Sequence, residues 1–133
     1  MAQTNLLPEG WKQPIGYSNG IIADGKMIVL GGQIGWNKDQ VFEAVSFAEQ
    51  FAQTLENIHA LLKEAGAVPQ DVVRLTWFIT DKKEYLASLK EVGRIYRSVF
   101  GTHYPVMSVL QVSGLMEDKA KVEIEATAIL GAS

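Results

Sequence analysis

Apolar side chains recur at spacings of three and four residues through the middle of the chain, from Phe47 to Ala65. This spacing matches one face of an α-helix, because a 3.6-residue turn brings such positions together. Gly66 follows directly, and glycine adopts the left-handed conformation at a helix end at low cost. We therefore predict an amphipathic helix that ends at Gly66. Its apolar positions are Phe47, Phe51, Leu55, Ile58, Leu62 and Ala65.

A second helical pattern occupies residues 84–100. Asp81 followed three residues later by Glu84 is typical of a helix start, because both side chains can accept hydrogen bonds from free backbone N–H groups. Gly101 is a natural end. The apolar positions of this helix are Tyr85, Leu89, Val92, Tyr96 and Val99.

Two apolar segments before the first helix read as strands. Residues 17–23 and 27–32 flank the dipeptide Asp24-Gly25, which favours a two-residue hairpin turn because both turn positions need positive φ. The pattern predicts that the two strands pair with each other. Residues 1–14 contain two prolines and a glycine and predict an irregular lead-in.

Three further segments complete the predicted fold. Residues 72–80 are rich in β-branched and aromatic side chains, which favour a strand, and residues 106–115 and 121–130 form two closing strands. The order β-β-α-β-α-β-β predicts a single α+β domain spanning residues 1–133, with a mixed sheet and two helices on one face.

The last strand has two different faces. Alternate residues share a face of a strand, so an apolar set opposes a set that includes Glu123 and Glu125. We predict that the apolar set packs against the helices. The other sheet face has no predicted helix to cover it, so we expect contact with further subunits there. The apolar set is Val122, Ile124, Ala126 and Ala128, and the mixed set is Glu123, Glu125, Thr127 and Ile129.

Composition narrows the function classes. The 133 residues carry a net charge of −3, from 15 acidic and 12 basic side chains. No clustered basic face is evident, so nucleic acid is not an expected partner. The chain contains no cysteine, which excludes disulfides, zinc thiolate sites and cysteine nucleophiles. Neither a signal peptide nor a membrane span is evident, so we expect a cytoplasmic protein with no membrane partner.

Several short motifs together resemble the reactive-intermediate deaminase (Rid) family, also called the YjgF or endoribonuclease L-PSP-like family. The resemblance covers nearly the whole chain and implies a fold like that of chorismate mutase. It also implies a homotrimer with three intersubunit clefts that bind a small molecule. The motifs are Gly16-Tyr17-Ser18, Gly32-Gln33-Ile34, Asp71-Val72-Val73, Tyr104-Pro105 and Val122-Glu123-Ile124-Glu125-Ala126.

The resemblance also implies site residues. Glu123 matches the glutamate that positions water, Gly32 a backbone position, and Tyr17 and Tyr85 aromatic residues of the cleft. Met107 stands where deaminating members have the arginine that binds the substrate carboxylate. Methionine has no hydrogen-bond donor, so we expect a substrate that lacks a carboxylate at that point or binds it elsewhere.

His103 precedes the strand of Met107, and we count it as a candidate substrate-binding residue because imidazole exchanges protons near neutral pH. We expect neither a metal nor another cofactor. The first hypothesis is a hydrolase or deaminase that acts on an enamine, an imine or a related reactive metabolite. The alternatives are a non-catalytic trimer that binds a small ligand and a chaperone-like interaction protein. Ribonuclease activity, which some relatives carry, is disfavoured by the acidic charge.

Overall fold

The computed structural model describes residues 3–133. Both predicted helical regions and all five predicted strand regions are present, together with one strand that the sequence did not predict. The elements are β1 (Gln3–Leu6), β2 (Gly20–Ala23), β3 (Lys26–Ile34), α1 (Phe47–Glu64), a short 3₁₀ turn (Pro69–Asp71), β4 (Val72–Ile79), α2 (Lys82–Ala87), α3 (Leu89–Phe100), β5 (Val106–Gln111) and β6 (Val122–Leu130).

A four-stranded mixed sheet organises the domain. Its strand order is β3-β6-β4-β5, with β4 and β5 parallel and the other two pairings antiparallel. α1 packs against β3, β6 and α3, so the helices lie on one face of the sheet. The predicted α+β class is confirmed. Within residues 3–133, no helix has both the length and the apolar character that a membrane crossing requires.

The predicted hairpin around Asp24-Gly25 is wrong. β2 pairs with β1 in a separate two-stranded sheet, and β3 pairs with β6. Gly25 does have a positive φ of 136°, but a second reason requires glycine there. A Cβ atom at Gly25 would lie 2.6 Å from the carbonyl oxygen of Leu130. The glycine therefore lets the chain pass close to β6.

The second predicted helix is broken at Ser88, whose φ and ψ of −111° and 14° are not helical. The Ser88 hydroxyl donates to the carbonyl oxygens of Glu84 and Tyr85, which satisfies the end of α2. Asp81 caps α2 as predicted, by accepting from the N–H groups of Lys83 and Glu84. The side chain of Glu84 does not complete a capping box. It accepts from the N–H of Phe47 and pairs with Lys121.

The two faces of β6 are as different as its alternation predicts. The apolar set is at most 2% exposed and lies in the main core. In the mixed set Glu125 is exposed and Glu123 and Thr127 are half-buried, but Ile129 is only 8% exposed. On the same open face, Met27 and Val29 of β3 pair with Ile129 and Thr127. Those two β3 side chains are 67% and 70% exposed. Coverage of this face by another subunit stays a prediction.

Asp71 anchors the C-terminal end of the chain. Its buried carboxylate accepts from the N–H of Val68 at 3.0 Å and from the N–H of Ser133 at 2.8 Å. Although burial acts to raise the pKa of Asp71, these hydrogen bonds outweigh it and hold the pKa below its ordinary value. The ionised form is therefore the one that stabilises the fold.

Candidate functional site

A cavity of about 510 Å³ lies between the α2–α3 helices and the β4–β5 edge of the sheet. Its volume is in the range of small-molecule sites. It brings together three predicted site residues, Tyr17, Tyr85 and Met107. The other residues around it are Ile15, Gly16, Trp77, Leu89, Val92, Gly93, Tyr96, Arg97, Tyr104 and Val109.

Backbone contacts explain how Tyr17 reaches the cavity. The N–H of the next residue, Ser18, donates to the carbonyl of Pro105 at 3.1 Å, and its hydroxyl donates to the carbonyl of Tyr104. Ser18 also forms an isolated parallel bridge with Val106. The segment before β2 is thereby held against the start of β5. Tyr17, 43% exposed, lies at the edge of the cavity.

Met107 faces the helices. It pairs with Leu75 across the parallel β4–β5 ladder, and paired residues share a sheet face. Leu75 is fully buried, and Met107 packs against the same core while also lining the cavity. The thioether therefore gives the strand wall of the cavity an apolar surface with no hydrogen-bond donor.

Aromatic rings make up much of the remaining wall. Tyr85 meets Trp77 edge to face with centroids 6.2 Å apart, and Tyr96 stacks on Tyr104 at 5.4 Å. Burial raises the pKa of Tyr85, and burial together with the neighbouring Tyr104 raises the pKa of Tyr96. Both therefore remain neutral phenols at neutral pH. The Tyr96 hydroxyl donates to the carbonyl of His103 at 2.7 Å.

Two polar features of the cavity were missed from the sequence. Trp77, only 4% exposed, has an Nε1–H that finds no acceptor among residues 3–133. Arg97 of α3 also lines the cavity, close to Gly93 one turn earlier. The i, i+4 spacing of Gly93 and Arg97 is visible in the sequence, but no local pattern shows that this face of α3 meets the cavity.

Glu123 and Gly32 lie together, but away from this cavity. Glu123 pairs with Phe78 of β4, on the face opposite Met107. Its carboxylate lies over Gly32, where a Cβ atom would collide with the glutamate side chain. The structure therefore divides the predicted site residues between the two faces of the sheet.

His103 does not line the cavity. Its Nε2 lies 2.7 Å from the carbonyl oxygen of Val72, so this nitrogen carries the proton and donates. That bond ties the loop before β5 to the start of β4. Contact between His103 and a ligand stays a prediction that this geometry does not support.

A larger depression of about 730 Å³, the outer depression, lies between the start of α1 and the α2–α3 helices. Charged side chains surround it, including Glu84, Glu91, Arg94 and Arg97, the last of which also borders the 510 Å³ cavity. The outer depression contains none of the predicted site residues. We therefore place the candidate site in the 510 Å³ cavity lined by Tyr17, Tyr85 and Met107, called the aromatic cavity below. Residues 3–133 contain no group of three or more side chains suited to hold a metal ion.

Comparison with known proteins agrees with the fold and the motifs. Residues 12–130 match the family described as Endoribonuclease L-PSP. A RutC family protein of Pyrococcus abyssi is 35% identical over 130 residues, covering 96% of this chain and 98% of that protein. The 2-iminobutanoate/2-iminopropanoate deaminase of Escherichia coli K12 is 32% identical over 108 residues, covering 79% of this chain and 80% of the deaminase.

Among solved structures, YyfB of Yersinia pestis, a protein of the conserved Rid family, matches with a TM-score of 0.85. It is 29% identical, and the match covers 98% of this chain and 100% of YyfB. The family profile, the relatives above 30% identity and this fold agree with the resemblance seen in the motifs. The chain belongs to the Rid family, which is also called the YjgF or Endoribonuclease L-PSP family.

Proposed function

We propose that this Rid-family chain hydrolyses a small reactive imine or enamine bound in the aromatic cavity. The observation that carries the proposal is the cavity itself, where Tyr17, Tyr85 and Met107 meet on one side of the sheet. The relatives named 2-iminobutanoate/2-iminopropanoate deaminases support this class of reaction.

The substrate differs from the one that those names describe. A 2-imino acid carries a carboxylate on the carbon next to its C=N group, and an arginine binds such a group with two charge-assisted hydrogen bonds. Each bond of that kind contributes roughly 1.5–3 kcal/mol, and Met107 can form none of them. The substrate of this chain therefore lacks a carboxylate at that point or binds it elsewhere.

The reaction is the addition of water to the C=N carbon. A C–O bond forms, the electrons of the C=N π bond move to nitrogen, and the resulting carbinolamine loses ammonia to leave a carbonyl compound. Glu123 orients the water, accepts its proton as general base and passes that proton to the nitrogen. The carbinolamine hydroxyl then gives its proton to the nitrogen as the C–N bond breaks, so that the nitrogen leaves as ammonia. The Glu123 carboxylate can lie directly over residue 32 because Gly32 has no side chain to displace it.

The Glu123 that acts at each cavity comes from a neighbouring copy of the chain. Within one protomer, Met107 and Glu123 face opposite sides of the sheet. Exposed Met27 and Val29 provide apolar surface on the Glu123 face that suits contact between subunits. We propose a homotrimer with three such clefts.

A second candidate is a non-catalytic trimer that binds an apolar ligand in the same cavity. The donor-free Met107 wall favours it, because such a wall binds hydrocarbon without positioning an imino acid. A third is a chaperone-like protein that uses its outer surface. Gly32→Trp, which fills the space beside Glu123, distinguishes the chaperone-like protein from the other two candidates. For a chaperone-like protein we expect this variant to keep its activity on client proteins.

The test is hydrolysis of an imine generated in place by a flavin amine oxidase, with semicarbazide trapping the surviving imine. We expect the wild-type protein to reduce semicarbazone formation and Glu123→Gln to lose most of that effect. Glu125→Gln is the matched control, since Glu125 lies two residues away on the same exposed face. Equal activity of the wild type and Glu123→Gln would contradict the proposed role of Glu123.

A further inference from the structure

We propose that Arg97 binds an anionic group of the ligand in the aromatic cavity, and that the indole N–H of Trp77 donates to an acceptor on the same ligand. In deaminating members the cation that binds the carboxylate is the arginine on the strand wall, at the position of Met107. In this chain the cation is Arg97 on the helix wall formed by α3. This inference rests on the proposed function, because it names the substrate class of the same cavity.

Arg97 has the position and the freedom to act as the anchor. It lies on α3 at the border that the aromatic cavity shares with the outer depression, and it is exposed, so its charge is solvated before a ligand arrives. The ion pair found among residues 3–133 joins Lys121 to Glu84 and leaves Arg97 outside it. A guanidinium is suited to bind a carboxylate with two parallel hydrogen bonds.

Gly93 allows the Arg97 side chain to lie close to the helix. A Cβ atom at Gly93 would be 3.1 Å from Nη1 of Arg97, which is tighter than ordinary van der Waals contact. Gly93 itself lines the cavity. The missing side chain therefore opens the helix wall at the place where the guanidinium lies.

Trp77 is an independent sign of a polar ligand group. Tryptophan is a donor only, and buried donors are nearly always paired in native proteins. The Trp77 Nε1 is buried and unpaired among the described residues, and Trp77 lines the cavity. Because this nitrogen has almost no accessible surface, a ligand oxygen or nitrogen in the cavity supplies the acceptor only when neighbouring side chains move aside.

The positions of these groups define the ligand class. The cation lies on the helix wall, while the strand wall that carries Met107 and Val109 is apolar. Aromatic side chains form much of the cavity surface between these two walls. The ligand is therefore an imine or enamine whose anionic group is separated from the reactive carbon by an apolar or aromatic segment.

Binding of 3-phenylpropionate and of its neutral analogue 3-phenylpropionamide tests the anchor by calorimetry. We expect the wild type to bind the carboxylate roughly tenfold or more tightly than the amide, as loss of charge-assisted bonds predicts. Arg97→Gln should remove that difference. Arg94→Gln should keep it, because Arg94 borders the outer depression and not the cavity. Equal preference in the wild type and Arg97→Gln, or binding of neither compound, would overturn the proposal.

The indole N–H resonances provide a second readout. The chain has three tryptophans, so Trp77→Phe identifies the Trp77 signal by its loss. We expect 3-phenylpropionate to shift that signal and slow its hydrogen exchange. An unchanged Trp77 signal at saturation would overturn the role of this N–H.

The two proposals fail in different ways. Arg97-dependent carboxylate binding without imine hydrolysis would refute the hydrolase and keep the anchor. Imine hydrolysis together with Arg97-independent binding would refute the anchor and keep the hydrolase.

Discussion

Met107 and Glu123 lie on opposite faces of the same four-stranded sheet. Met107 pairs with buried Leu75 on the helix side, and Glu123 pairs with Phe78 on the open side. A cleft that uses both residues must therefore take them from different subunits. One protomer alone therefore does not contain the complete proposed catalytic site.

Mixed assemblies should recover activity that neither parent variant has. Val109→Trp fills the cavity and Glu123→Gln removes the base, so each homogeneous trimer should be inactive. In a random one-to-one mixture, about a quarter of the clefts would combine an intact cavity with an intact Glu123. We expect co-expressed chains to regain roughly that share of imine hydrolysis. An inactive mixture whose mixed composition is verified by mass spectrometry would contradict a shared cleft.

Gly32→Ala should abolish hydrolysis with little loss of stability. The new Cβ would collide with the Glu123 carboxylate and displace it. Gly31→Ala is the matched control, because a Cβ at Gly31 meets nothing within 4 Å. Imine hydrolysis and thermal unfolding of both variants check this prediction. Full activity of Gly32→Ala would show that the observed position of Glu123 is not needed.

Met107→Arg should increase hydrolysis of 2-iminopropionate on the order of a hundredfold, because it restores two charge-assisted hydrogen bonds to a carboxylate. Met107→Gln, similar in size and uncharged, should give no such gain. A coupled assay with an amino-acid oxidase and semicarbazide measures both variants. No gain in a folded Met107→Arg protein would indicate that Glu123 and its water are not arranged for catalysis.

Asp71→Asn should lower the free energy of unfolding at pH 7 by about 1–3 kcal/mol, since it weakens two charge-assisted hydrogen bonds. The folded-state pKa of Asp71 is lowered from its ordinary value of 3.8. Its contribution is thus present above about pH 4 and disappears as the pH falls through the lowered pKa. Denaturant unfolding measured at pH 7 and at a pH below the lowered pKa should show a lower stability of Asp71→Asn than of the wild type at pH 7 alone. Exposed Asp118→Asn is the control.

Local patterns predicted the elements whose causes are local. The apolar spacing from Phe47 to Ala65 predicted α1, and Gly66 follows the end of that helix at a φ of 76°. The alternation of β6 likewise identified its buried face correctly. Strand pairing depends on distant partners, so the turn at Gly25 suggested a hairpin that β1 and β6 prevent. The break at Ser88 could not be predicted, because neither proline nor glycine, the usual helix-breaking residues, occurs at this point of the sequence.

The candidate site was predictable only in part, for a related reason. Motifs pointed to Tyr17, Tyr85 and Met107, which the fold brings together at one cavity. Arg97 and Trp77 carry no motif, and their relation to the cavity depends on how α3 and β4 pack. A side chain that acts from an unexpected element becomes visible only once the tertiary contacts are known.

The most direct test of the central claim compares two imines in one assay. One is 2-iminopropionate, and the other is the imine that a flavin amine oxidase forms from 3-(4-carboxyphenyl)propylamine, whose carboxylate is separated from the reactive carbon by an aromatic segment. We predict that the wild-type protein clearly accelerates hydrolysis of the second imine and has little effect on the first. Strong acceleration of 2-iminopropionate, or no acceleration of either imine by a folded trimer, would contradict the proposed substrate preference.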